Sequence, residues 1–143
     1  MTTQTAGTPE LVEKLNSALA WEMRAQALYS HYAAYVKGIH RLHLKPYFEA
    51  EAAESVIHAS AVREQIVKLG GLAITDRADA EIVHTTDYRV MLREAFQTET
   101  RAAEGYKSIL DLPDLDSELH DAVEQIYFQE ERSIEELSQL LDS

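Results

Sequence analysis

Residues 11–32 read LVEKLNSALAWEMRAQALYSHY, and residues 88–109, 77 positions later, read YRVMLREAFQTETRAAEGYKSI. At that offset the two stretches share Leu15/Leu92, Ala18/Ala95, Glu22/Glu99, Arg24/Arg101, Ala25/Ala102 and Tyr29/Tyr106. Steps of four and three along 11, 15, 18, 22, 25, 29, 32, and along 88, 92, 95, 99, 102, 106, 109, put each set on one face of a helix. Each face is otherwise apolar, so each helix turns a glutamate, Glu22 or Glu99, into its core. An ionised carboxylate in a dry core is costly unless something pairs with it. Two such glutamates, one from each half of a duplicated helical chain, point to a metal ion held between them.

Outward from this repeat, four long periodic segments account for most of the chain. The first helix is expected over about 9–37, with Thr8-Pro9-Glu10 as cap, first-turn proline and first-turn acid, and Gly38 as its stop. The second is expected over about 45–69, from Pro46 or a turn earlier to Gly70-Gly71, with a stripe of Phe48, Ala52, Ser55, Ala59, Val62, Ile66 and Leu69. The third runs over about 87–110. Asp111-Leu112-Pro113-Asp114 breaks the chain, and the fourth follows over about 114–141 with Leu119, Val123, Ile126, Glu130, Ser133, Leu137 and Leu140 inward. Short connections make the first and second helices, and the third and fourth, antiparallel hairpins. The stretch 70–86 between the hairpins is long enough to run the length of a bundle. The expected fold is therefore all-α, a single domain over 1–143, built as a four-helix bundle with one long crossover.

Composition narrows the chemistry. The 143 residues contain no cysteine, which excludes disulfides, thiolate metal sites and redox thiols. A bound metal must use carboxylate and imidazole, a donor set that suits iron or manganese. The net charge of -12 disfavours direct binding to a DNA backbone. No stretch approaches the ~18 apolar residues of a membrane span. The N-terminal MTTQTAGT has no basic segment followed by an apolar run, so a cytoplasmic protein is expected.

Glu22, Glu99 and Glu130 lie on inward stripes of three helices. The second helix adds His58, about 70° from the centre of its stripe at 100° per residue. Glu51 shares that flank two turns earlier, and Glu54, one turn before His58, points further outward. His31, His40, His43, His84 and His120 have no ligand spacing and are expected on the surface.

The segments LNSALAWEMRAQALY, HASAVREQIVKLGG, MLREAFQTE and IYFQEERSIEEL resemble the ferritin-like superfamily, closest to its bacterioferritin and rubrerythrin branches. The resemblance covers about residues 10–141 and implies a di-iron carboxylate centre inside the bundle, with manganese as the other metal. It makes Glu22 and Glu99 terminal carboxylates, His58 the imidazole of the second helix and Glu130 a bridging carboxylate. Tyr29 and Tyr106 would hydrogen-bond these ligands and orient them. Two positions depart from the family pattern. Ser55 stands where a glutamate precedes the histidine by three, and Ser133 stands where a histidine follows Glu130 by three. A π-bulge would turn Glu54 inward to replace the first; without one, Glu51 or water must fill the gap. LYSHYAAYVKG and QIVKLGG also resemble the DNA-protecting mini-ferritins. That family's intersubunit site is not expected, because Ala33 and Ser60 occupy its ligand slots and only Glu64 is kept.

The implied function is a ferroxidase-type oxidoreductase that handles iron, with O2 or H2O2 as oxidant, assembled as a homo-oligomer of at least two copies. The alternatives are a di-metal oxidase or oxygenase acting on an organic substrate, with room beside Ala52, Ser55 and Ala59, and a structural protein whose metal site has decayed. No haem is expected, because the position matching the bacterioferritin haem-ligating methionine is Val56, and Met23 and Met91 fall on other helices. Protein mixed with haem and desalted should show no stoichiometric Soret band; a retained one-to-one band would contradict this reading.

Overall fold

The structure is a computed structural model, and it describes residues 8–142. Four helices make the bundle: α1 (Thr8–Tyr35), α2 (Arg41–Lys68), α3 (Tyr88–Leu110) and α4 (Ser117–Leu141). There is no strand among the described residues. The neighbouring pairs are α1 with α2, α3 with α4, α1 with α3, and α2 with α4, the last making the sparsest contact.

Local chemistry sets the ends of these helices, and at three of them it shifts the expected boundary. α1 stops at Tyr35 rather than 37; Gly38 then takes φ +84°, a left-handed conformation that costs a side-chain-bearing residue energy. Arg41 Nη1 donates to the Val36 and Ala34 carbonyls at 2.8 and 3.2 Å, satisfying acceptors that the end of α1 leaves open. α2 begins at Arg41 rather than 45, with Pro46 inside it. Its first turn is tight, with Leu42 N and His43 N donating to the carbonyls of Ile39 and His40, three residues back, at 3.2 Å. α3 starts where expected, on Asp87, whose side chain accepts from the Arg89 amide at 2.9 Å. α4 begins at Ser117 rather than 114, because Asp114 has φ +60° and the cap is Asp116, which accepts from the Leu119 amide.

The crossover runs along α1 in the same direction. Asn16 holds its start, accepting from Ile74 N and donating to Leu72 O. Ala78 N donates to Ala20 O, and Tyr32 Oη donates to Val83 O at 2.6 Å. Arg24 is the central clamp: Nε donates to Ala80 O and Nη2 to Glu81 O, both at 2.8 Å, while Nη1 donates to Thr98 Oγ1 at 2.7 Å. Gly71 makes a close approach at the start of the crossover, where an added Cβ would lie 2.8 Å from Val12 Cγ1. Because the crossover returns the chain to the far end, α3 runs antiparallel to α1, and both repeated glutamates are buried.

The core has two apolar halves. One gathers Leu28, Tyr29, Tyr32, Phe48, Met91 and Leu137; the other gathers Leu15, Leu19, Val62, Ile66, Tyr106 and Ile126. Between them lies a layer of buried polar groups: Glu22, Ser55, His58, Glu99, Glu130 and Ser133. No described helix is long and apolar enough to cross a membrane.

Arg24 is only 5% exposed, whereas its repeat mate Arg101 is exposed and stacks over Trp21. Replacing Arg24 strands two carbonyls and a hydroxyl. Arg24→Met should lower the unfolding free energy by about 2–3 kcal/mol. Arg101→Met should change it by less than about 0.5 kcal/mol. Urea denaturation of both variants checks the difference.

Candidate metal centre

Each helix delivers one glutamate or histidine to the middle layer, and α2 and α4 add a serine each. Glu22 of α1 and Glu130 of α4 are 1% exposed, His58 of α2 is 3% and Glu99 of α3 is 4%. His58 Nδ1 lies 3.0 Å from Glu130 Oε1 and 3.4 Å from Glu22 Oε2. One donor atom from each of these three residues falls within 4.8 Å of the others. Two donors each ~2.1 Å from an ion and at right angles stand about 3.0 Å apart, so these spacings suit ligands that share a cation.

His58 Nε2 faces the Gln129 side-chain oxygen at 2.6 Å. That bond makes Nε2 the protonated donor and leaves Nδ1 as the nitrogen turned toward the carboxylates. Orienting partners of this kind are what a ligating imidazole requires. Gln129 was not legible as a site residue; its only sequence signal is its place beside Glu130.

Tyr106 Oη donates to Glu22 Oε2 at 2.6 Å, so the expected tyrosine–carboxylate contact forms in one half of the repeat. The Tyr29 hydroxyl has no hydrogen-bond partner among the described residues, and the other half stays unbonded. Burial, followed by nearby carboxylates, raises both phenols well above their ordinary pKa, so both remain neutral hydroxyls.

The carboxylates are under-satisfied. Glu22 Oε1, Glu99 Oε1 and Glu130 Oε2 are buried without a hydrogen-bond partner among the described residues. Such oxygens are rare in folded proteins and ask for an explanation. A hard cation supplies one, and Glu22, Glu130 and His58 fit it, with two oxygens and one nitrogen close together; Glu99 stands outside that group.

The remaining candidates fall around this core. α2 is a regular α-helix through 41–68, with no π-bulge to swing Glu54 inward. The Glu54 side chain is 38% exposed, and its Oε1 stands 3.8 Å from His58 Nε2. Glu51 instead reaches across the bundle and accepts from Ser133 Oγ at 3.0 Å. Ala52, Ser55 and Ala59 are buried against the core. His40, His43 and His84 are exposed, whereas His31 and His120 are half-buried. His31 and His84 hydrogen-bond each other at 2.9 Å where the crossover meets the end of α1.

Without metal, three of these groups hold on to protons: His58, Glu99 and Glu130. Burial alone would lower the His58 pKa, but hydrogen bonds to Glu130 and Glu22 outweigh it and raise it to about 11. Burial, then the charge of Glu22, pushes Glu130 up to about 8. Burial, then Glu130 and Glu51, carries Glu99 well above the carboxylate range.

Comparisons with known proteins identify the family and the fold. The Ferritin-like domain family matches residues 12–143. A ferritin-like, diiron-carboxylate protein from Bacillus anthracis str. Ames superposes with a TM-score of 0.91 at 35% identity, covering 97% of this chain and all of that one. A dodecameric thioferritin, the bacterioferritin-related protein of Bacteroides fragilis, gives 0.86 at 24% identity over 94% of this chain and 85% of its own. The DPS protein of Vibrio cholerae O1 gives 0.89 at 15% identity, over 99% and 98%. The curated proteins give no match.

A group that binds more protons folded than unfolded makes stability fall as pH rises between its two pKa values. Glu130 does so between 4.5 and about 8, and His58 between 6.5 and about 11. The metal-free protein should therefore melt at progressively lower temperature as pH rises from about 6.5 to 9. Thermal melts with a chelator present check this; a rising profile would contradict it.

Proposed function

The chain belongs to the ferritin-like domain family, and from that membership we propose that it binds Fe(II) inside the bundle and oxidises it. The observation that carries the proposal is the buried group of Glu22, Glu130 and His58, in which each glutamate keeps an unpartnered oxygen. Glu22, Glu130 and His58 Nδ1 would hold one ion, with Glu130 lying between that position and Glu99. Ionised carboxylates favour Fe(III) over Fe(II), being hard oxygen donors. Two Fe(II) give up one electron each: O2 takes both with two protons to give H2O2, or H2O2 takes both with two protons to give two waters. Mn(II) suits the same donors.

The chain's own residues do the positioning. Gln129 fixes the His58 ring, and Tyr106 fixes Glu22. The apolar halves above and below exclude bulk water, which strengthens every charge interaction in the layer. Binding must release the protons that His58, Glu99 and Glu130 hold, so affinity should rise with pH across neutrality.

Self-association of at least two copies belongs to the same reading. α2 carries apolar residues on both faces, and its outward Leu42, Val56, Ile57 and Val67 are exposed. The Bacteroides fragilis relative is described as dodecameric.

A decayed site remains a competing reading with one observation in its favour: Glu22 already accepts from Tyr106, and Glu130 already pairs with His58. Melting curves separate the two. Under the metal reading, anaerobic Fe(II) or Mn(II) raises the melting temperature of the wild type by mass action. Glu22→Gln/Glu99→Gln should then raise the metal-free melting temperature, abolish the metal-dependent shift and slow aerobic Fe(III) formation at least about tenfold. A wild-type curve that no metal moves would overturn the proposal.

A further inference from the structure

We propose that the end of the bundle where α2 and α3 begin binds a small organic anion, a single carboxylate head joined to an aliphatic body. The site is a cavity of about 360 Å³ between the start of α2, the start of α3 and the last turn of α4. That volume falls at the small end of the ~300–1,000 Å³ usual for small-molecule pockets. The cavity shares no lining residue with the metal centre, so the inference goes beyond the iron-handling reading and stands without it.

Its walls oppose the charge of the rest of the molecule. The chain carries 25 acidic and 13 basic residues, yet the cavity is lined by Arg89, Arg93, His40 and His43 and by no carboxylate side chain. Of the acids next to it in the chain, Asp87 caps the Arg89 amide and Asp142 stays outside the lining. Lys45, Lys68 and Lys107 each pair with an acid, whereas no carboxylate lies within ion-pair distance of Arg89 or Arg93 among the described residues. Arg89 is held instead over the Tyr88 ring, 5.4 Å from its centroid. The His40 ring packs against the same tyrosine, with centroids 4.1 Å apart. These contacts place one guanidinium and one imidazole at the cavity before any ligand arrives.

The apolar lining decides the rest of the ligand. Leu44 and Leu92, both buried, make the inner wall, and Leu140 and Leu141 extend it outward. Leu140 is 37% exposed, an aliphatic surface that a bound molecule would cover. Tyr88 is already engaged by His40 and Arg89, so the cavity offers branched aliphatic surface in place of an open aromatic face. An inorganic anion would leave these leucines in water, and a neutral hydrocarbon would leave both guanidiniums unpaired. A monocarboxylate with a short alkyl chain meets both demands. Its oxygens accept charge-assisted hydrogen bonds from the arginines, and each methylene withdrawn from water adds to the driving force.

Calorimetric titration of the intact protein with octanoate, octylamine and 1-octanol tests this. The wild type should bind octanoate with a Kd below about 1 mM, at least about tenfold more tightly than octylamine. The net charge of -12 alone would give the opposite order. Arg89→Gln/Arg93→Gln should weaken octanoate at least about tenfold and leave 1-octanol within about twofold. Leu140→Glu, which adds an acid to the same wall at an exposed position, should abolish octanoate binding while its circular dichroism matches the wild type. Octanoate bound equally well by the wild type and both variants would overturn the assignment. So would a wild type that binds no octanoate, or one that prefers octylamine.

Discussion

Three carboxylates withdrawn from water around one imidazole constrain everything else in this structure. Each pays a desolvation penalty that no apolar contact can offset. One positive imidazolium neutralises one of them; the others either take protons or await a cation. Burial and neighbouring carboxylates accordingly raise Glu130 to about 8 and Glu99 beyond the ordinary carboxylate range. The bundle tolerates this layer because apolar clusters on both sides supply the cohesion that the layer lacks.

The duplicated helices put the layer together, and the crossover registers them. Arg24 ties the crossover to α1 and, through Thr98, to α3, one residue from Glu99 and two from Glu22 in their chains. The same buried arginine thus sets the relative height of the two glutamates. The symmetry of the repeat stops at the chemistry. Tyr106 donates to Glu22, but the Tyr29 hydroxyl and Glu99 Oε1 both lack a partner among the described residues. One glutamate of the repeat has a tyrosine partner for one of its oxygens; its mate has none, and both are buried.

Periodicity made the four helices and the Glu22, Glu99 and Glu130 positions readable, since an acid on an apolar stripe is visible without coordinates. His58 needed the resemblance as well, because it sits on the flank of its stripe. What periodicity missed depends on distances across the bundle. The Glu51–Ser133 bond joins residues 82 positions apart, and Gln129 matters only because His58 Nε2 ends 2.6 Å away. A π-bulge would turn Glu54 inward, with Glu51 or water as the alternative; α2 is regular and leaves the Glu54 side chain 38% exposed. Pro46 reads as a helix start, yet a tight turn before it lets α2 begin at Arg41. Asp114 reads as part of the fourth helix, but its left-handed backbone delays that helix to Ser117.

The most direct test of the central claim is anomalous diffraction from crystals loaded anaerobically with Fe(II). The account predicts a peak bounded by Glu22, Glu130 and His58 Nδ1, about 2.1 Å from each ligating atom, with the Tyr106–Glu22 and Gln129–His58 bonds retained. A map with iron only at surface carboxylates, and with His58 still hydrogen-bonded to Glu130, would contradict it.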